Sequence, residues 1–266
     1  MLIQNNQTAL ITGASSGIGL ELAKLFALDG YKLILVSSHG PGLQKAADTI
    51  KNEIDTTGIT IIAKDLSKHG ASEELYNEVK AMGHTVNVLV NDAGVGEYGQ
   101  FSTTDLQAEV DLVHLNIISL MSLTKLYLRE MLLRNEGRIL QLASIASFLP
   151  HPWLAVYAAS KAFVLSFSEA VQHEIKDTEV KITILCPGAT DTNFFSRAGA
   201  ANSTIAQEMN MDDPAEVAKE GYEALKAGKK RVIVGIENRA QIAASNLIPD
   251  SALAAMMDKQ LQPVEL

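Results

Sequence analysis

Thr8-Ala9-Leu10-Ile11-Thr12-Gly13-Ala14-Ser15-Ser16-Gly17-Ile18-Gly19-Leu20-Glu21-Leu22-Ala23-Lys24-Leu25-Phe26 is the stretch that decides the fold. Its first five residues are a short apolar, β-branched run, which predicts a strand covered on both faces. A glycine turn and a helix-period run follow, and strand, glycine turn, helix is the context in which such a loop holds a nucleotide. Glycine tolerates positive φ and lets backbone amides approach a pyrophosphate, whose charge then meets the positive end of the helix. Gly13, Gly17 and Gly19 are spaced Gly-x3-Gly-x-Gly, and no Gly-Lys-Ser/Thr follows, which excludes an ATP-type phosphate loop. Taken alone, the turn reads equally well as a tight connection; its place after the first strand favours the nucleotide.

Outward from this unit the pattern repeats. Strands are predicted near Thr8–Thr12, Leu33–Val36, Thr60–Ala63, Val86–Val90, Arg138–Leu142, Lys181–Leu185 and Arg231–Val234. Helices are predicted over Gly17–Leu28, Gly42–Ile54, Ser72–Met82, Leu106–Leu133, Ala155–Lys176 and Pro214–Ala227, the last opened by Asp213 as N-cap with Glu216 at capping-box spacing. This alternation predicts an α/β fold: one doubly wound domain with a seven-stranded parallel sheet flanked by helices on both faces. No linker divides the chain, so residues 1–235 form the nucleotide-binding domain and residues 236–266 a helical tail. The 266 residues are 47% hydrophobic, enough for a full core and unlike a disordered chain. One cysteine excludes a disulfide framework, and Cys186 reads as a small buried residue. The 22 basic residues against 31 acidic ones argue against a nucleic-acid surface. The histidines never take ligand spacing, so no metal is expected. No apolar run is long enough to cross a bilayer, and the first residues lack a leader pattern, which together predict a cytoplasmic protein.

Chemistry gathers at the ends of the later strands, where open α/β sheets bind ligands. Tyr157 and Lys161 are one helical turn apart on one face. A lysine beside a tyrosine favours the phenolate; bringing a phenol from about 10 to about 7 requires roughly 4 kcal/mol, within reach only with a cationic cofactor and a dry site. The spacing alone is weak, because Tyr76 with Lys80 and Tyr222 with Lys226 repeat it; those two pairs read as solvated helix faces. Ser144, thirteen residues before Tyr157 at the end of the fifth strand, sets that pair apart, since its hydroxyl can polarise a carbonyl while Tyr157 supplies a proton. After the second strand stand Ser37, Ser38 and His39. No acid is there to reject a 2′-phosphate and no arginine to bind one; the serines read either as phosphate contacts or as small turn residues. Asp65 closes the third strand, placed to bond an adenine amino group or simply to form a turn.

These motifs resemble the short-chain dehydrogenases/reductases from Thr8 to Val234. Thr12-Gly13-x3-Gly17-Ile18-Gly19 looks like the family's cofactor loop, Asn91-Asp92-Ala93-Gly94 like its Asn-Asn-Ala-Gly segment, and Pro187-Gly188-Ala189-Thr190-Asp191-Thr192 like the segment along the nicotinamide. Asn116, Ser144, Tyr157 and Lys161 match the family's catalytic set. The resemblance implies a Rossmann-type fold binding NADP(H) in preference to NAD(H), through Gly13, Ser15, Ser16, Gly17, Ile18, Gly19, Ser37, Ser38, Asp65, Leu66, Asn91, Ala93, Gly94, Tyr157, Lys161, Pro187, Gly188, Thr190 and Thr192. It implies Tyr157 as acid and base, Lys161 on the nicotinamide ribose, Ser144 on the substrate oxygen, and Asn116 holding a water that links Lys161 to solvent. A homodimer or homotetramer follows from the same likeness. Asp92 departs from the commoner second Asn, and Val95-Gly96-Glu97-Tyr98-Gly99 is unlike the loop of acyl-carrier-protein ketoreductases.

Tyr98, Phe148, His151, Trp153 and Phe194, together with Ser144, are the expected substrate contacts; their apolar character suggests a largely apolar ketone or aldehyde, or its alcohol. Residues 192–211 resemble a mobile substrate loop. The tail's Ile242, Leu247, Ile248, Leu253, Met256, Met257 and Leu261 suit a cover for the pocket or a neighbouring subunit better than a membrane surface. A catalytically silent cofactor-binding regulator and a 3-oxoacyl-thioester ketoreductase are the alternatives.

Overall fold

A computed structural model describes residues 6–55, 58–208, 210–245 and 247–264; the leader reading lies outside these, as does one position of the 192–211 loop. Seven parallel strands run β1 Thr8–Thr12, β2 Lys32–Ser37, β3 Ile59–Ala63, β4 Val88–Asn91, β5 Arg138–Leu142, β6 Lys181–Cys186 and β7 Arg231–Ile233, in the spatial order β3-β2-β1-β4-β5-β6-β7. The order reverses between β1 and β4, and a ligand crevice opens at the carboxyl ends of strands at such a point.

Alternation along each strand builds two cores. Ala9 and Ile11 of β1 face Leu22 and Phe26 of α1 (Gly17–Leu28), Leu43 and Ile50 of α2 (Gly40–Glu53), and Val217 and Tyr222, which belong to the helix Pro214–Lys226. Leu10, Ile34 and Leu89 face the other way, onto Leu75 and Val79 of α3 (Ala71–Ala81) and onto Leu123 and Tyr127 farther along. Both faces are covered, which is why the strand sequences read as continuous apolar runs.

The long helix predicted over 106–133 is three pieces. Helix α4 (Leu106–Val113) continues through a π-helical turn, His114–Ser119, into α5 (Leu120–Arg134). Such turns collect at functional sites, and this one carries Asn116. Helix α6 (Ala155–Glu174) follows β5, and two short helices, α7 (Phe194–Arg197) and α8 (Thr204–Glu208), break up the loop after β6. The ends of that loop are pinned together: Asp191 N–H donates to Asp212 O at 3.0 Å and Asp212 N–H to Ala189 O at 2.8 Å. Helix α9 (Pro214–Lys226) starts where predicted, with Asp213 accepting from Ala215 N–H. The tail forms α10 (Ile236–Ser245) and α11 (Asp250–Leu261), and Leu253, Met257 and Leu261, one turn apart, pack with Leu149, Leu154 and Trp153. No described helix is long and apolar enough to cross a membrane.

Candidate active site

One groove runs over the carboxyl ends of the strands. Its wall includes most residues singled out in the sequence: Gly13, Ser15, Ser16, Gly17, Ile18, Ser37, Ser38, Asp65, Leu66, Ala93, Gly94, Ser144, His151, Tyr157, Pro187, Gly188, Thr190, Thr192 and Phe194. The glycine loop packs closely against the end of β4. Gly13 has φ +74°, and a Cβ there would sit 2.6 Å from Asp92 Oδ2 and 2.9 Å from Ala93 N. Thr12, just before the loop, ties the two central strands together: its hydroxyl donates to Val90 O and accepts from the amides of Asp92 and Ala93.

Four of the expected cofactor or catalytic residues are not on this wall. Gly19 is a packing glycine, since a Cβ would lie 2.5 Å from Asp92 Oδ2 and 2.7 Å from Gly13 O. Asn91 is buried, and its amide donates to Gln141 Oε1 at 2.8 Å and Thr124 Oγ1 at 3.1 Å, binding β4 to β5 and α5. Asn116 accepts from Val95 N–H and donates to Val95 O and Ser160 Oγ, each at 3.0 Å. Its side chain therefore braces the loop after β4. Lys161 is buried beneath the wall and donates to Leu142 O at 2.8 Å.

At the second strand, His39 is not free to meet a phosphate through Nδ1, which caps α2 by accepting from Gly42 N–H at 3.1 Å. Ser37 Oγ bonds Ser15 Oγ at 3.1 Å, joining the first two βα turns. Asp65 lines the groove and forms the turn: its Oδ1 accepts from the amide and hydroxyl of Ser67. Lys64, unnoticed in the sequence, also lines this end, held by Glu74 and Glu78 at 3.3 Å each.

The Tyr157 phenol and the Ser144 hydroxyl face each other closely enough to interact, and Phe194 covers the phenol with ring centroids 4.8 Å apart. The lysine spacing by itself does not depress the phenol. Burial outweighs the Ser144 interaction and pushes it up to about 12. Burial likewise holds Lys161 down to about 8, against the opposing pull of Asp92. In the other two Tyr-x3-Lys pairs the lysines are exposed, as expected of solvated faces, while Tyr76 is half-buried and Tyr222 buried. Tyr76 and Lys80 share Glu130, and Tyr222 and Lys226 share Asp29, so each clamps a carboxylate from elsewhere in the chain. Cys186 is fully buried, its thiol pushed up to about 12.

Three expected substrate contacts, Tyr98, Phe148 and Trp153, lie behind the wall. Tyr98 stacks on Trp153 with centroids 5.8 Å apart and donates its hydroxyl to Leu261 O at 2.5 Å, while Trp153 Nε1 donates to Asp258 Oδ1 at 2.8 Å. Tyr98 and Trp153 anchor the tail because their polar tips find partners on α11. Trp153 has φ +68°, unusual for a bulky residue. His151 is buried on the wall with Nδ1 2.8 Å from Leu149 O. A carbonyl can only accept, so Nδ1 carries the proton and Nε2 is left as an acceptor, and burial lowers the ring's proton affinity. Leu261, Ile205, Leu154 and Phe195 complete the apolar end, with Arg197 beside them. Leu261 is one of the tail residues expected to cover the pocket, and it lines this end of the groove.

A family model described as short chain dehydrogenase matches residues 7–203. The chain belongs to the short-chain dehydrogenase family. It is thereby an oxidoreductase of the NAD(P)-dependent dehydrogenase/reductase class. Dehydrogenase/reductase SDR family member 7B of Rattus norvegicus is 29% identical over 241 residues, covering 86% of this chain and 73% of its own. In fold, the chain matches a short-chain dehydrogenase from Sphingobium yanoikuyae in complex with NADPH (TM-score 0.81, 24% identity, 97% of this chain and 99% of that one). It also matches a Burkholderia phymatum short-chain dehydrogenase/reductase in complex with NAD (TM-score 0.80, 22% identity, all of both chains).

Proposed function

We propose that this family member is an NADP(H)-preferring carbonyl reductase or alcohol dehydrogenase for a largely apolar ketone or aldehyde. The facing Ser144–Tyr157 pair, set on one groove wall between the glycine loop and an apolar end walled by Phe194, Leu154 and Leu261, carries this reading. When bound, the nicotinamide supplies or accepts the hydride. Tyr157 gives its phenolic proton to the substrate oxygen in reduction and takes one back in oxidation, and Ser144 orients that oxygen. A phenol held near 12 is in its acid form at neutral pH, which suits reduction. Lys161 supplies positive charge below the wall and Asn116 braces the loop over it. The amides of the Gly13–Ile18 loop would hold the pyrophosphate, Thr190 and Thr192 the nicotinamide side, and Asp65 and Leu66 the adenine.

Preference for NADP(H) is supported by the missing acid after β2 and by Ser37, Ser38 and Lys64 on that wall. Self-association to a dimer or tetramer is supported by Leu106 and Val110, large apolar residues exposed one turn apart on α4; a cytoplasmic location belongs to the same reading.

The test is a panel of ketones, aldehydes and alcohols followed by nicotinamide absorbance, with both nucleotides, for the parent and Tyr157→Phe. Turnover by the parent and its loss by about a hundredfold or more in the variant, with nucleotide binding kept, is expected. Undiminished turnover in Tyr157→Phe refutes the proton donor. Binding without turnover on any compound points to a regulator, and activity confined to 3-oxoacyl thioesters to a ketoreductase.

A further inference from the structure

Asp92 lies inside the glycine loop, where its Oδ2 is what a Cβ on Gly13 or Gly19 would strike, at 2.6 and 2.5 Å. The Gly19 amide donates to the carboxyl. Oδ1 is sealed from solvent with no hydrogen-bond partner, although the residue itself forms part of the groove wall. The charged group facing it is Lys161 from α6, already tied to Leu142 O. The other neighbours are uncharged: loop amides, the Thr12 hydroxyl, and Asn116 from the π-helical turn beside Gly94. Desolvation moves the Asp92 carboxyl up to about 7.

We propose that Asp92 is a proton-linked residue of the dinucleotide site, occupied as the neutral acid whenever the cofactor's pyrophosphate rests on the glycine loop. Binding then draws one proton from solvent onto the Asp92 carboxylate, and release returns it; no bond to the cofactor is made or broken. This rests on reading the groove as the dinucleotide site. The physical cause is that the loop offers amides, dipoles weaker than a full charge, to a doubly charged diphosphate. A buried carboxylate directly beneath, with one oxygen unpartnered, opposes that charge in a medium where screening is poor.

Calorimetric titration of the full chain with NADPH and with NADH, at pH 8 in two buffers of different ionisation enthalpy, counts the protons taken up. Infrared difference spectra locate them. For the wild type, uptake of about 0.9 proton is expected with both nucleotides, with a new carboxylic C=O band on binding and affinity falling up to about tenfold per pH unit above 7. Asp92→Asn should lose the band and flatten the pH dependence. Because NADH lacks the 2′-phosphate, equal uptake with both excludes that group as the source. Binding without the carboxylic band, or an unchanged pH dependence in Asp92→Asn, overturns this inference alone. No binding of either nucleotide at any pH overturns the dinucleotide reading and this inference with it.

Discussion

Replacing Gly19 by alanine separates the two jobs that a glycine in a nucleotide loop can do. The added Cβ would lie 2.5 Å from Asp92 Oδ2, 2.7 Å from Gly13 O and 3.0 Å from Gly13 C. Two of these three are backbone atoms of a residue held at φ +74°, so the neighbour has little room to give. Alanine gains about 1 kcal/mol of helix propensity over glycine. Against this stand about 1–3 kcal/mol of overpacking and about 1.5–3 kcal/mol for the Gly19 amide bond to the carboxyl. The net is a destabilisation of roughly 1.5–5 kcal/mol, or roughly 3–20 °C in Tm for a chain of this size. Thermal unfolding without cofactor measures it. Gly70→Ala serves as comparator, because Gly70 has φ +78° with nothing within 4 Å and should lose only about 1–2 kcal/mol of backbone strain. If Gly19→Ala unfolds like the wild type without cofactor and loses only nucleotide affinity, Gly19 is a phosphate contact and its assignment to packing is wrong.

Leu261→Ala should open the apolar end of the groove, raising kcat/KM for bulkier ketones relative to small ones by about tenfold; an unchanged substrate profile would remove the tail from the specificity wall. Ser160→Ala takes away one Asn116 partner and should lower kcat several-fold with KM nearly unchanged; a matching rise in KM would instead mean a general loosening of the pocket. Stability should also track Asp92. Its folded value of about 7 lies above the ordinary 3.8, so the native state binds the extra proton and stability falls as pH rises from about 4 to 7. The fall is on the order of 3–4 kcal/mol at about 1.36 kcal/mol per unit, and urea unfolding of Asp92→Asn should show it missing. Lys161, lowered to about 8, acts in the opposite sense: stability rises between about pH 8 and 10.5, and a flat curve there in the wild type would contradict its burial.

Strand and helix positions, the glycine turn and the single parallel sheet were legible because period and turn chemistry are local. Five strands and five helices shifted by a residue or two at their ends, where register decides: β2 starts at Lys32 because that residue pairs with Thr8. The Ser144, Tyr157 and Lys161 set was legible too, once their order along the strands was considered. What spacing could not do was tell three Tyr-x3-Lys pairs apart by environment. Two of them hold Glu130 and Asp29, partners 54 and 193 residues from the tyrosines, and only folding brings those together. The same holds for Asn91, whose partners sit on β5 and α5, and for Tyr98 and Trp153, which turn from the groove to catch α11. The sign of the Tyr157 shift was also tertiary. A helical spacing puts a lysine near a phenol, but how much water remains around either group is set by Phe194 and the loops above them, and here desolvation outweighs the Ser144 interaction. Local sequence determines which groups are present and which way each element presents them; how dry they are and what meets their free valences depend on chain segments far away, and those two quantities govern the chemistry.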